Sequence, residues 1–255
     1  MSTSGPEYAV VSGAASGIGR AVALRLAKRG AQIALIDVNA DGLADVLREV
    51  ERLSPGSETF IASVADSAAI RAAVESFARR RGRIDTVVCC AGVLRMGKLL
   101  DMPERDWHEV IAVNLTGTYL VAHQSMPWLL ERGGSFIAIS SDAGTQGATG
   151  YSAYCASKHG LLGLIKCLAL EYGPRGVRSN AICPSFVETP MAEAAFASAG
   201  ADERRRYQEL VPLGRFARAE EIAAIAAHLS SPDASYVNGM AYAVDGGATA
   251  GYFCP

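Results

Sequence analysis

The run Tyr8-Ala9-Val10-Val11-Ser12-Gly13-Ala14-Ala15-Ser16-Gly17-Ile18-Gly19 joins a short apolar stretch to a segment of helical period in which Ile18, Val22 and Leu26 recur every four residues. A strand that passes through glycines directly into a helix has a physical use. Gly13 permits a tight turn, Gly17 lets the backbone approach an anion with no Cβ in the way, and Gly19 allows close helix packing. The first N–H groups of the helix stay unpaired and attract negative charge. The spacing GxxxGxG differs from the usual GxGxxG fingerprint, and Arg20 after Gly19 excludes the Lys-Ser/Thr ending of a P-loop. The stretch reads as a βα unit shaped to hold a pyrophosphate.

The same alternation continues along the chain. Strands are predicted at Tyr8 to Ser12, Gln32 to Ile36, Glu58 to Ala62, Thr86 to Cys90, Ser135 to Ser140, Arg178 to Ile182 and Ala241 to Val244, most of them rich in Val, Ile or Ala. Between them, Leu43, Val46, Leu47, Val50 and Leu53 trace one helix face, and Ile70, Ala73, Val74 and Phe77 another. One long helix is predicted from Glu104 to Leu130, a second from about Ser152 to Tyr172, and a last one striped by Ile222, Ile225, Ala226 and Leu229. This predicts an α/β fold, a doubly wound seven-stranded parallel sheet with helices on both faces, in a single domain spanning residues 1–255. Pro190 to Leu210 breaks the rhythm, with Arg204, Arg205 and Arg206 in an Ala-rich stretch, and is a candidate substrate lid over 190–210.

Composition narrows the function. In 255 residues, 24 Lys+Arg against 26 Asp+Glu give a formal net charge of −2 and no basic face for a nucleic acid. Met1 to Glu7 carries neither a basic nor an apolar leader, and no segment approaches the ~18 apolar residues of a membrane span, so a cytoplasmic protein is expected. Cys89, Cys90, Cys155, Cys167, Cys183 and Cys254 lack CxxC spacing and read as reduced, buried thiols. His108, His123, His159 and His228 form no HExxH, so no metal is expected.

Two further features carry chemistry. Asp37 ends the second strand, eighteen residues past Gly19, where a carboxylate can accept hydrogen bonds from the adenosine ribose of NAD and repel the 2′-phosphate of NADP; it can equally start a turn before the helix near Asp41. Tyr154 and Lys158 stand one helical turn apart on one face, close enough for an ammonium to favour the phenolate and so for acid–base work.

The Ser12 to Gly19 turn, the Tyr154/Lys158 pair and Ser141, thirteen residues before Tyr154, together resemble the short-chain dehydrogenase/reductase family in its short single-domain form. Asn114 in Val113-Asn114-Leu115, Pro212-Leu213-Gly214-Arg215, Asn238-Gly239 and Val244-Asp245-Gly246-Gly247 extend the resemblance over nearly the whole chain. It implies a catalytic tetrad of Asn114, Ser141, Tyr154 and Lys158. Tyr154 exchanges a proton with the substrate oxygen, Ser141 holds that oxygen, Lys158 binds the nicotinamide ribose and depresses the Tyr154 pKa, and Asn114 retains a water beside Lys158. It also implies a cofactor site of Gly13, Ser16, Gly17, Ile18, Gly19, Asp37, Ser63, Val64, Ala91, Gly92, Pro184, Ser185, Val187 and Thr189, with Tyr154 and Lys158, and a homotetramer.

Three positions depart from the family pattern. Cys89-Cys90 replaces two asparagines, Ser63 replaces an aspartate at the adenine edge, and Ser185 replaces the glycine after Pro184. The thiols are expected to alter stability or cofactor affinity without loss of chemistry. The resulting expectation is an NAD(H)-dependent enzyme, NADH preferred over NADPH, interconverting a small-molecule secondary alcohol and a ketone. The alternatives are a catalytically weak dinucleotide-binding relative and, for substrate, reduction of 3-oxoacyl thioesters. Leu94, Arg95, Asp142, Thr145, Gln146, Phe186, Glu188 and the lid from Met191 onward are the residues expected to face the substrate; the Arg204 to Arg206 run either recruits an anionic carrier or is a solvated helix face.

Overall fold

Short strands of Val, Ile and Ala bury both faces only when helices cover the sheet on each side, and the chain adopts that arrangement. The computed structural model describes residues 7–197 and 201–252. The sheet contains β1 (Tyr8–Ser12), β2 (Gln32–Asp37), β3 (Glu58–Ile61), β4 (Thr86–Cys89), β5 (Gly134–Ile139), β6 (Val177–Pro184) and, last in the chain, β9 (Ala241–Val244). All pairings are parallel, in the order β3-β2-β1-β4-β5-β6-β9. Strand ends agree with the sequence reading to within a residue or two. A separate parallel ladder of β7 (Val187–Glu188) and β8 (Ala217–Arg218) was not foreseen, being too short to carry a period.

Alternation sorts the side chains into two cores. Val11, Leu35, Val88 and Ile137 face a layer of α1 (Gly17–Ala27), α2 (Ala40–Leu53) and α9 (Ala219–Ser230), where Val22, Leu26, Leu43 and Ile222 meet them. On the opposite face Val10, Ile36, Val87 and Phe136 pack on α3 (Ser67–Arg79), α5 (Gly117–Leu129) and α6 (Ser152–Tyr172) through Phe77, Leu129 and Ile165. Each such fully buried side chain contributes about 1.5–3 kcal/mol.

Two expectations are corrected, and the segment expected as a lid is seen to be helical. The stretch Glu104 to Leu130 is helical throughout but in three pieces, α4 (Glu104–Val110), a π turn over Ile111–Thr116, and α5. The wider i→i+5 turn falls where the fully buried Asn114 finds its partners. The segment 190–210 forms two helices, α7 (Pro190–Ala197) and α8 (Ala201–Glu209); residues 198–200 of the expected lid lie outside the described residues, as do Met1 to Pro6 and the tail's last three residues with Cys254. Cys89 and Cys183 are buried, but Cys167 is exposed on the outer face of α6, beside the exposed Leu170, because no described residue covers it there. Among the described residues no helix is long and apolar enough to cross a membrane.

The chain runs outward from β1 to the β3 edge and then returns to β4 on the other side of β1. The turns after β1 and β4 therefore diverge at the carboxyl ends of adjacent strands, which opens a crevice there.

Candidate active site

The glycine turn forms one wall of that crevice. Gly13 and Gly17 have φ of +67° and +50°, the left-handed region that a side chain makes costly. A Cβ on Gly13 would stand 2.6 Å from the Ala91 amide nitrogen, and one on Gly19 would stand 1.9 Å from the Gly13 carbonyl oxygen. Helix α1 has no side-chain cap and no acid in its first turn, so its leading N–H groups are left to the crevice. Thr189, just before α7, leans on the turn, its Cγ2 3.2 Å from where a Gly17 Cβ would lie.

A cleft of about 450 Å³ extends from this turn. Gly13, Ser16, Gly17, Ile18 and Gly19 line one side, Asp37, Ser63 and Val64 the end, and Ala91, Gly92 and Thr189 the other side. The Asp37 carboxylate accepts from the Ala15 and Asn39 amides, both at 3.0 Å, and so is tied to the glycine turn while it also serves the local turn. Of the side chains lining this cleft, two are carboxylates, Asp37 and Glu109, and none is a Lys or Arg. Ala91 is held through its amide by the Ser12 hydroxyl, 3.4 Å, and the partly buried Cys90 fills the wall between.

A second cavity of about 630 Å³ opens off the first, sharing Ile18, Cys90, Gly92, Thr189 and Met191 with it. Ser141 reaches it from the end of β5, Tyr154 and Lys158 from α6, and Pro184, Ser185 and Val187 from the exit of β6. Asp142, Gln146 and Tyr151 add polar lining, and Phe196, Tyr207 and Leu210 come from α7 and α8. All the residues expected to hold a nucleotide thus lie along one continuous surface, with the tetrad members other than Asn114 at its inner end. Asn114 lies behind it. Its Oδ1 accepts from the Val93 amide (2.8 Å), and its Nδ2 donates to the Val93 carbonyl (3.0 Å) and to Ser157 Oγ (3.1 Å). The side chain clamps the loop after β4 with both of its N–H protons engaged.

The electrostatics differ from the sequence expectation. The Lys158 ammonium lies 5.4 Å from the Tyr154 ring centroid but donates to the Ile139 carbonyl at 2.8 Å. Burial pulls its pKa down to about 8, against the opposing pull of the Cys90, Cys183 and Cys89 thiols. Burial likewise pushes the Tyr154 phenol up to about 12, opposed by a hydrogen bond with Ser141, and Lys158 supplies no compensating depression. One of the three N–H bonds of the Lys158 ammonium is engaged by the Ile139 carbonyl, and the ammonium keeps its charge beside the Tyr154 ring. Ser141 Oγ donates to Asp142 Oδ1 at 2.7 Å and accepts from the Ala143 amide at 3.2 Å.

Some residues expected to face the substrate do not. Arg95 is in a two-pronged ion pair with Glu109, both contacts 2.9 Å, Thr145 donates to the Asp142 carbonyl, and Glu188 lies 3.8 Å from Arg204. Arg205 and Arg206 pair with Glu209 and Glu203, so the arginine run is a solvated, internally paired helix face. What sequence reasoning missed is the ring cluster of Phe186, Phe196, Tyr207 and Phe216, with centroids 4.6–5.5 Å apart, that seats α7 and α8 over the cavity. Aromatics spread over some thirty residues gave no local signal.

Comparison with known proteins agrees with this geometry. A family model described as enoyl-(acyl carrier protein) reductase matches residues 13–249. The chain is 40% identical over 244 residues to D-threitol dehydrogenase of Mycolicibacterium smegmatis, covering 95% of this chain and 93% of that protein. It is 38% identical over 241 residues to a 3-oxoacyl-(acyl-carrier-protein) reductase of Thermotoga maritima, covering 93% and 96%. The crystal structure of levodione reductase superposes with a TM-score of 0.92 at 33% identity, covering 96% of this chain and 98% of that one.

Proposed function

Since the chain belongs to the short-chain dehydrogenase/reductase family, whose members are oxidoreductases that generally bind a nicotinamide dinucleotide, we propose that it interconverts a secondary alcohol and a ketone with NAD(H). The observation that carries the proposal is the convergence of Ser141, Tyr154 and Lys158 on one cavity that is continuous with the glycine-turn cleft.

The cleft fits the nucleotide on its own chemistry. Uncapped N–H groups at the start of α1 suit a pyrophosphate, and the close approach of Gly13 to Ala91 leaves a wall without side chains. Asp37 suits the adenosine ribose, and its carboxylate at a cleft end with no Lys or Arg among the lining residues disfavours a 2′-phosphate. When bound, the nicotinamide supplies the hydride acceptor or donor. Ser63 and Val64 would border the adenine, Ala91 and Gly92 the adenosine, Lys158 the second ribose, and Pro184, Ser185, Val187 and Thr189 the nicotinamide.

The chain's own residues manage the proton. Tyr154 Oη gives a proton to the ketone oxygen in reduction and takes it from the alcohol in oxidation. Ser141 orients that oxygen, and the lid 190–210 excludes water from it. Asn114, by fixing Val93, keeps the loop after β4 against the cleft and Ser157 in register one residue before Lys158. The related proteins bear the names of a dehydrogenase and of reductases, so the reading covers both directions. Internal pairing of Arg204, Arg205 and Arg206 disfavours an acidic carrier protein as substrate. In the assembled protein, which we take as a homotetramer, the uncovered outer face of α6 is a natural contact.

Absorbance of NADH during incubation of the full chain with secondary alcohols and NAD⁺ tests the proposal. Tyr154→Phe should lower kcat/KM at least a hundredfold while NADH binding, read by fluorescence, stays within about twofold. A Tyr154→Phe variant with unimpaired turnover defeats it.

A further inference from the structure

Resting on the function just proposed, the hydrogen bonding of one carboxylate beside the reacting centre points to a substrate class. Ser141 Oγ has a single proton. An ionised carboxylate can only accept, so the 2.7 Å contact with Asp142 Oδ1 commits that proton to Asp142. While that contact holds, the Ser141 oxygen offers only lone pairs to a substrate oxygen, although a ketone or a developing alkoxide needs a donor.

Asp142 is half-buried, and its two protein donors converge on one oxygen. Ser141 and the Ala143 amide (2.7 Å) both fall on Oδ1, and among the described residues none donates to Oδ2. Asp245 shows the contrast: the Gly247 amide serves its Oδ1, and the Thr249 amide and hydroxyl serve its Oδ2. Lys158, the one cation lining the cavity among the described residues, is turned to the Ile139 carbonyl. Burial and the Asp245 charge hold the Asp142 carboxyl above the ordinary carboxylate range, against the donations of Ser141 and Ala143. Yet Asp142 lines the substrate cavity.

We propose that Asp142 is a specificity and positioning residue that accepts a hydrogen bond from a second hydroxyl of the substrate, so that the enzyme selects vicinal diols and their α-hydroxy ketones over simple secondary alcohols. The substrate hydroxyl supplies the donor that Oδ2 lacks and loosens the hold of Oδ1 on the Ser141 proton. That proton then turns to the reacting oxygen. No bond other than hydrogen bonds changes in this step. A substrate without the second hydroxyl leaves Ser141 engaged with Asp142, and one with a carboxylate at that carbon meets an unpaired negative charge.

The test compares butane-2,3-diol with butan-2-ol, using NAD⁺ and the full chain. Wild type should favour the diol by about 10- to 100-fold in kcat/KM, the range of one hydrogen bond to a charged group. Asp142→Ala should bring the ratio to within about threefold, with butan-2-ol turnover rising as the Ser141 proton is released. Asp142→Asn, which keeps the shape and a neutral acceptor, should give an intermediate ratio. A merely structural role would lower both substrates together. An equal fall, an unchanged ratio in Asp142→Ala, or no diol preference in wild type overturns the proposal. Calorimetry of each alcohol against the NADH-loaded protein separates this proposal from the redox reading. Asp142-dependent diol binding without any turnover upholds Asp142 and defeats the oxidoreductase reading. Turnover without diol preference does the reverse, and neither binding nor turnover overturns both.

Discussion

Replacing Gly19 by alanine tests the glycine turn most directly. The added Cβ would lie 1.9 Å from the Gly13 carbonyl oxygen, where real Cβ contacts stay above 3.0 Å, so the turn and α1 must part by more than an ångström. The obstacle is backbone, which cannot swing aside as a side chain can. Moving α1 also strips its buried Val22 and Leu26 from the sheet and from α9. Overpacking of this kind costs about 1–3 kcal/mol, and the rigid partner places Gly19→Ala at the upper end. About 3 kcal/mol corresponds to a Tm lowered by roughly 6–12 °C in a domain of this size. The same shift turns the leading N–H groups of α1 away from the cleft, so NADH affinity should fall at least tenfold. Gly147→Ala is the control: its Cβ meets nothing within 4 Å, and its effect should stay within about 0.5 kcal/mol. Differential scanning calorimetry and NADH fluorescence titration read the two effects separately. A variant that loses stability yet binds NADH as wild type does would refute the turn as a phosphate cradle. One that loses neither would refute the packing itself.

Two further outcomes follow from the charges. Lys158 has a folded pKa lowered from 10.5 to about 8, so above pH 8 the unfolded chain holds the extra proton and stability rises with pH. From about pH 8 upward Cys89, Cys90 and Cys183, whose pKa values are raised by burial, hold their protons more strongly in the folded chain and oppose the trend. Urea denaturation of wild type and Lys158→Met separates the two: between pH 8 and 9 wild type should gain about 1 kcal/mol relative to the variant, and identical pH profiles would contradict the buried ammonium. For the nucleotide, NADH should bind at least tenfold tighter than NADPH, and Asp37→Ser should narrow that gap by about tenfold, as removal of one like charge at a partly exposed site allows. Tighter NADPH binding by wild type would sink the reading of Asp37.

The fold was legible because its signals are local. Strand and helix periods needed only neighbouring residues, and Tyr8 to Ser12 and Ala241 to Val244 fall on the observed strands. The positions around the cavity were legible for a similar reason, since the ends of parallel strands gather whatever follows them. What stayed hidden depends on partners distant in sequence or on the backbone. The π turn at Ile111–Thr116 is a change of hydrogen-bond spacing, which leaves no mark in residue types. Glu188 neutralises Arg204 from another element, and Glu109 does the same for Arg95, so runs of charge in the sequence overstated the free charge on the surface. Asp142 was visible as a substrate-facing residue, but its grip on the Ser141 proton needed coordinates.

The Tyr154/Lys158 pair shows how far spacing alone reaches. One helical turn brings phenol and ammonium together, with one ammonium N–H turned to the Ile139 carbonyl. Both shifts, Tyr154 to about 12 and Lys158 to about 8, favour neutral forms, as a dry pocket does. To ionise the phenol near pH 7 from there requires about 7 kcal/mol of differential stabilisation. An ammonium swung to about 4 Å supplies roughly 4 kcal/mol at the effective dielectric of a protein, so Lys158 alone falls short even after leaving Ile139. The remainder must come from a second positive charge in the same cavity, and the oxidised form of a nicotinamide nucleotide carries one. In the proposed mechanism the acid–base chemistry of Tyr154 therefore depends on nucleotide binding. Lys158 is then better understood as completing a charge that the nucleotide begins than as the source of the phenol's acidity.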